Sequence, residues 1–254
     1  DRYESFDAYA ASKLRIFAAQ RPGDQAVVNA DDPEITTRFA AGGNCPGRLC
    51  QFGQEAGGQP GALLKKGKVI LNLGEEKKQE VYSLAGTSLA LPPNSANAAA
   101  AILTARLLGC TPDAIQLGLK QFAPLPHRLV PVAQINGIMF YDDSKATNEG
   151  AVVAALEAME QPVVLIAGGR EKGGDYSLLK AAVKEKVRAA VLLGEAKETL
   201  ARALDGLADI APAGSMEEAV HLAYQLGRPG MAVLLSPACA SFDMFGSYAE
   251  RGDV

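Results

Sequence analysis

Apolar and small residues recur at steps of three and four from Phe6 to Ala19 (Phe6, Tyr9, Ala10, Leu14, Phe17), which predicts an amphipathic helix stopped by Arg21-Pro22-Gly23. Ala26-Val27-Val28-Asn29 reads as a short buried strand, and Asp31-Asp32-Pro33 as the start of another short helix. Residues 41–61 hold seven glycines and two prolines and predict loops or ribbon turns. Lys68 to Leu73 and Glu80 to Leu84 are candidates to pair as a small antiparallel element. An alanine-rich helix is predicted from Asn94 to Leu108, and Thr111-Pro112-Asp113 starts a further one to Phe122.

Pro124-Leu125-Pro126 then interrupts the pattern, which places a domain boundary there and gives domains of residues 1–124 and 125–254. Beyond it strands and helices alternate: Gly137 to Tyr141, Val163 to Ala167, Ala189 to Leu193 and Met231 to Leu235 as strands, with helices from Glu149 to Met159, Ser177 to Lys186, Ala196 to Leu204 and Met216 to Leu226. Strands that are continuous apolar runs are buried on both faces, so the fold class is α/β, with an open, doubly wound parallel sheet in this half. Ligands of such sheets bind beyond the carboxyl ends of strands, which singles out the loops after Tyr141, Ala167 and Leu235.

Composition changes this picture little: 254 residues with 48% apolar and 21% charged side chains describe a folded globular protein of one large or two ordinary domains. A net charge of −4 without a basic stripe argues against nucleic acid as a partner. Cys45, Cys50, Cys110 and Cys239 have neither zinc-site nor disulfide-framework spacing. The longest apolar run, Ala96 to Leu108, is broken by Asn97, Thr104 and Arg106, and no secretory leader is read, so the expectation is a cytoplasmic protein without membrane insertion. The chain opens on Asp1 rather than Met, with a helical pattern almost at once, which reads as an internal start.

The loop from Asp142 to Asn148 carries six polar side chains in seven residues. It reads either as a helix cap with a solvated flank or, because Lys145 and Thr147 add donors at a helix amino terminus, as an anion site. In the loop from Ala167 to Asp175, four glycines allow close backbone approach, and Arg170 and Lys172 can meet a carboxylate or phosphate; a flexible solvated loop is the alternative. It is neither a Walker A loop nor a Gly-x-Gly-x-x-Gly fingerprint, which disfavours an NAD-dependent dehydrogenase. In the third loop, Ser236 to Asp243, Cys239 has no nearby His and reads as a packed thiol rather than a nucleophile. Asn94 and Asn97 lie one turn apart on one helix face, and His127-Arg128 closes the linker; each also has an ordinary reading, as a cap, a tolerated polar residue or a surface residue.

Taken in this order, Leu125-Pro126-His127-Arg128, Asp142 to Asn148 (DDSKATN) and Ser236 to Phe245 (SPACASFDMF) resemble the Mur ligases, the ATP-dependent amide-forming enzymes of peptidoglycan assembly, and among them the branch that adds D-glutamate. The likeness runs along essentially the whole chain, from Asp1-Arg2-Tyr3 and Tyr9 to Phe17 through Asn29 to Pro33 and on to Arg251-Gly252-Asp253. It implies that residues 1–124 correspond to the later part of a central ATPase-type α/β domain and residues 125–254 to a carboxyl-terminal Rossmann-like domain. The family's phosphate loop, its Mg-binding Glu and His, and its first domain would precede Asp1. One departure is Pro92-Pro93-Asn94, where the family usually has Gly-x-His-Asn.

In the implied chemistry, ATP phosphorylates the carboxylate of UDP-N-acetylmuramoyl-L-alanine and the amine of D-glutamate attacks the acyl phosphate. The resemblance makes Lys13 a carbamylated lysine that helps hold Mg, Asn97 an adenine contact, Arg128 a phosphate or nucleotide contact and Asp143 a ribose contact. Lys145 would face phosphate or the muramoyl substrate, and Thr147, Lys172, Ser241 and Phe242 would hold D-glutamate. Loops and resemblance together point to an anion site between the domains of a monomeric enzyme, with the present chain inactive alone. A nucleotide- or amino-acid-binding module without catalytic power is the alternative.

Overall fold

The computed structural model describes residues 3–40, 45–58, 60–74, 78–90 and 92–254. Asp1 and Arg2 of the family likeness, and residues 41–44 of the glycine-rich stretch, lie outside the described residues. The chain divides into two compact units, Asp1–Ala123 and Pro124–Val254. Among the described residues no helix is long and apolar enough to cross a membrane.

The first unit opens with α1 (Phe6–Ala18), whose first turn is capped by Ser5 accepting from the Ala8 amide. Then come β1 (Gln25–Asn29) and α2 (Pro33–Ala40), with the Asp32 carboxylate accepting from the Glu34 and Ile35 amides. β2 (Arg48–Gly53) and β3 (Gly61–Lys65) follow, then β4 (Lys68–Asn72) and β5 (Glu80–Ser83). These form one sheet in chain order, parallel from β1 to β3 and antiparallel from β3 to β5. The pairing of β4 with β5 is as the sequence predicts. The reading of residues 41–61 as loops is corrected for 48–53, because Leu49, Cys50 and Phe52 form a strand between β1 and β3 despite the flanking glycines. α3 (Asn94–Leu107) lays Ala98, Ala99, Ile102 and Leu103 against Cys50, Ala62, Val69 and Leu71 of the sheet, and α4 (Pro112–Gln121), capped by Thr111, adds Ile115 and Leu119.

The second unit has a six-stranded sheet. β6 (Val130–Ile135) and β7 (Ile138–Asp142) form a hairpin, followed by α5 (Glu149–Ala158), β8 (Val163–Gly168), α6 (Leu179–Lys186) and β9 (Val187–Leu193). Then come α7 (Lys197–Leu204), β10 (Asp209–Pro212), α8 (Met216–Leu226), β11 (Ala232–Leu235) and α9 (Tyr248–Asp253). The strand order is β10-β9-β8-β11-β7-β6, all parallel except the edge strand β6. Every residue of β8 is buried, and alternate side chains serve two cores. Val163, Leu165 and Ala167 pack with α5, α6 and α7, whereas Val164 and Ile166 pack with Ala219 and Ala223 of α8. This two-faced covering is the doubly wound α/β arrangement expected. Because β11 is inserted between β8 and β7, the crossover from β7 to β8 leaves a crevice above its carboxyl end.

Candidate functional site

Three loops meet at the carboxyl ends of β7, β8 and β11. In residues 142–148 the helix cap is Asn148, which accepts from the Ala151 amide at 2.9 Å, so Asp142 and Asp143 are left for other contacts. Asp142 takes the Ser144 amide at 2.9 Å on one oxygen and faces His127 Nδ1 at 2.6 Å on the other. Asp143, 6% exposed, accepts from the Leu129 amide at 3.1 Å and from the Ser236 hydroxyl at 2.8 Å. Burial pushes its carboxyl up to about 6, against the opposing pull of those two hydrogen bonds and of nearby Arg128. His127 and Leu129 on either side of half-buried Arg128 both have positive φ, 60° and 50°, a backbone that L side chains rarely adopt.

In the second loop Gly168 and Gly169 are required as glycine. Their φ values are 127° and 132°, and a Cβ would collide with the Leu193 carbonyl in one case and the Ala240 carbonyl in the other. The close approach lets the Arg170 amide donate to Ala240 O at 2.8 Å, tying this loop to the third. The third loop is tied to the first by the Ala238 amide, which donates to Ala146 O at 2.9 Å. Cys239 is 1% exposed, lies 3.2 Å from the Tyr176 hydroxyl, and has its thiol pushed up by burial, which suits packing and not nucleophilic attack.

A pocket of about 370 Å³ opens where the loops meet, lined by Thr147, Arg170, Glu171, Lys172, Ala240, Ser241, Phe242 and Tyr248. It brings together Thr147, Lys172, Ser241 and Phe242 from three separate stretches of sequence. Lys172 Nζ donates to the Thr147 carbonyl at 3.0 Å; Ser241 is buried and Phe242 is 60% exposed. Lys145 stands beside the pocket, its ammonium donating to the Tyr248 hydroxyl at 2.9 Å and lying 4.1 Å from the ring centroid.

Lys13 and Asn97 belong to the first unit. Lys13 is exposed on α1 with its ammonium 5.3 Å from the Tyr9 ring centroid. Asn97 is exposed on α3 and, with Asn94, lines a second cavity of about 360 Å³ walled mainly by Ala98, Ala101, Ile102, Ala105, Leu119 and Phe122. Asn94 does not cap α3 with its side chain, since Pro93 is the N-cap and the Asn94 amide instead donates to Ser88 O at 3.4 Å. Lys13 is not among the residues lining this cavity.

Sequence reasoning missed α9 and the two residues it supplies. Ser247-x-x-Glu250 has the capping-box sequence: the Glu250 amide donates to Ser247 Oγ at 3.1 Å, while the Glu250 carboxylate accepts from the Gly246 amide at 2.7 Å. That signal was in the sequence; what the helix supports was not. Arg251, 2% exposed, donates to Ser144 Oγ at 3.0 Å, Ser144 O at 2.8 Å and Cys239 O at 3.2 Å, and a Cβ on Gly169 would lie 3.1 Å from its guanidinium. One side chain therefore ties the first loop to the third and lies beside Gly169 of the second. Burial lowers its pKa to about 10, which leaves it charged near neutral pH.

Two family profiles match the chain: the Mur ligase middle domain over residues 1–105, and the Mur ligase glutamate ligase domain over residues 127–239. Among curated relatives, the UDP-N-acetylmuramoylalanine–D-glutamate ligase of Geotalea uraniireducens is 41% identical over 253 residues, covering 100% of this chain and 55% of the relative. The enzyme of the same name from Desulfosudis oleivorans is 43% identical over 253 residues, covering 99% and 54%. The chain thus spans about 55% of the length of the curated relatives it matches. Among solved structures, Mycobacterium tuberculosis folylpolyglutamate synthase, complexed with ADP and AMPPCP, has a TM-score of 0.68 at 18% identity, over 99% of this chain and 59% of that one. Thermotoga maritima MurF, in complex with ADP, has a TM-score of 0.63 at 16% identity, over 94% and 55%. At those identities the likeness establishes the fold, while the two profiles and the close relatives establish the lineage: the chain belongs to the Mur ligase family, with matches to its middle domain and to its glutamate ligase domain.

Proposed function

We propose that the chain is the nucleotide- and D-glutamate-binding part of an ATP-dependent ligase that joins D-glutamate to UDP-N-acetylmuramoyl-L-alanine through an acyl phosphate. In this reading residues 1–124 are part of the central ATP-binding domain and residues 125–254 the carboxyl-terminal domain of a monomeric cytoplasmic enzyme. The observation that carries it is the convergence of Thr147, Lys172, Ser241 and Phe242 on one pocket. The names of the curated relatives, and ADP in two structural neighbours, support the substrate and nucleotide assignments.

Lys172, held by the Thr147 carbonyl, supplies the cation for a substrate carboxylate, buried Ser241 a hydroxyl, and Phe242 an apolar wall that excludes water. Lys145, steadied by Tyr248, faces phosphate or the muramoyl carboxylate. Arg128 meets phosphate, Asp143 the ribose, and Asn97 the adenine at the mouth of an apolar cavity. A carbamate on Lys13 suits a hard, oxygen-seeking cation such as Mg, which when bound neutralises phosphoryl charge. Lys13 supplies only part of such a shell, and among the described residues no three His, Cys, Asp or Glu side chains gather as a metal site. The sequence holds no Gly-x-x-x-x-Gly-Lys-Ser/Thr motif, so these residues alone are not expected to form the amide bond.

The reading is tested by titrating the ¹⁵N-labelled chain with D-glutamate and with L-glutamate. The expected result is saturable shifts at Thr147, Lys172 and Ser241 with D-glutamate and weaker ones with its enantiomer. Shifts confined to other surfaces, or none, would overturn it.

A further inference from the structure

We infer that Arg170 is a second carboxylate-binding residue of the loop pocket, so that the pocket selects a dicarboxylic amino acid over a monocarboxylic one. The inference rests on the pocket being the D-glutamate site. Arg170, Glu171 and Lys172 all line it, a formal pattern of two cations around one anion. A glutamate zwitterion carries the complement, two carboxylates and one ammonium.

Lys172 has one ammonium donor already given to Thr147 O, which leaves it too few to satisfy all the oxygens of two carboxylates. Arg170 is differently placed. Its amide bond to Ala240 O pins the backbone beside the loop that carries Ser241 and Phe242, so the side chain starts from a fixed wall of the pocket. Its nearest carboxylate is Glu195, 3.6 Å from Nε, outside hydrogen-bond distance. Arg170 Nε thus makes a long, solvent-exposed ion pair with Glu195, but among the described residues the terminal amino groups of the guanidinium have no hydrogen-bond acceptor, and they can take a carboxylate.

The test is calorimetry of the 254-residue chain with D-glutamate, with D-glutamine, whose side-chain carboxylate is an amide, and with D-isoglutamine, whose α-carboxylate is an amide. Arg170→Gln should weaken D-glutamate about tenfold or more, the loss of a charge-assisted contact. It should leave the amide that lacks the Arg170-bound carboxylate within about twofold of its original affinity, since no contact to that ligand is lost. Lys172→Gln should spare the other amide, and Arg170→Lys should recover part of the affinity. Unchanged D-glutamate binding in Arg170→Gln, or an equal loss for all three ligands, overturns the inference while the pocket assignment stands. Failure of the unsubstituted chain to bind D-glutamate at all overturns both.

Discussion

The two units hold pockets of nearly equal size, about 360 and about 370 Å³, built from opposite materials. The cavity of the first unit is walled by the side chains of two helices, mostly Ala, Ile and Leu, with two asparagine amides on its rim. The pocket of the second unit is walled by loops, two cations and a carboxylate, and its shape depends on backbone hydrogen bonds and on Arg251. Helix faces give a surface suited to a flat apolar ring with an amide at its edge. Pinned loops at strand ends give directed donors suited to carboxylates. The first should tolerate loss of a polar residue with its shape intact, whereas the second should lose its shape when its one buried post is removed.

The largest effect should therefore come from Arg251→Ala. It removes three charge-assisted hydrogen bonds and leaves buried acceptors on Ser144 and Cys239, at a cost of roughly 3–5 kcal/mol, softened by relief of the cation's own desolvation. Hydrogen exchange should show loss of protection in β7, β8 and β11, with the cavity of the first unit unaffected. Equal loss in both units would contradict the contrast.

A smaller effect is expected from Asp143. Its folded carboxyl is raised to about 6 from an ordinary 3.8, so between those values the folded state binds more protons than the unfolded one, and stability falls as pH rises. Stability attributable to this group is complete below the lower value and lost as pH passes the upper, a change of about 2–3 kcal/mol by linkage. Amide exchange in β7 and β11 should speed up from pH 4 to pH 7 beyond its intrinsic pH dependence. Asp143→Asn should lack that component; an unchanged profile would show that the carboxyl is not perturbed.

Much of this contrast was legible in the sequence, for reasons visible in particular residues. The helices from α3 to α8 and the strands β7, β8, β9 and β11 follow from long apolar periodicities that tertiary packing reinforces. Strand β2 was hidden because Arg48, Gln51 and Gly53 break its apolar alternation, and its burial comes from lying between two neighbours. Strand β6 was hidden although Asn136-Gly137, both at positive φ, is a strong two-residue hairpin signal. β10 is a four-residue edge strand ending in proline, too short to show a period. The convergence of Thr147, Lys172, Ser241 and Phe242 followed from strand-end logic and resemblance. Arg251 and Tyr248 did not, because their roles depend on α9 folding back against a loop some hundred residues away.

The carboxylate-reading pocket proposed for the loops of the second unit is centred on Lys172. The most direct measurement is the dissociation constant of D-glutamate for the chain and for Lys172→Ala by titration calorimetry. The substitution, at an exposed residue, should weaken binding about tenfold or more while leaving the thermal midpoint unchanged, the signature of a lost ligand contact. Equal affinity in the two proteins would contradict the claim.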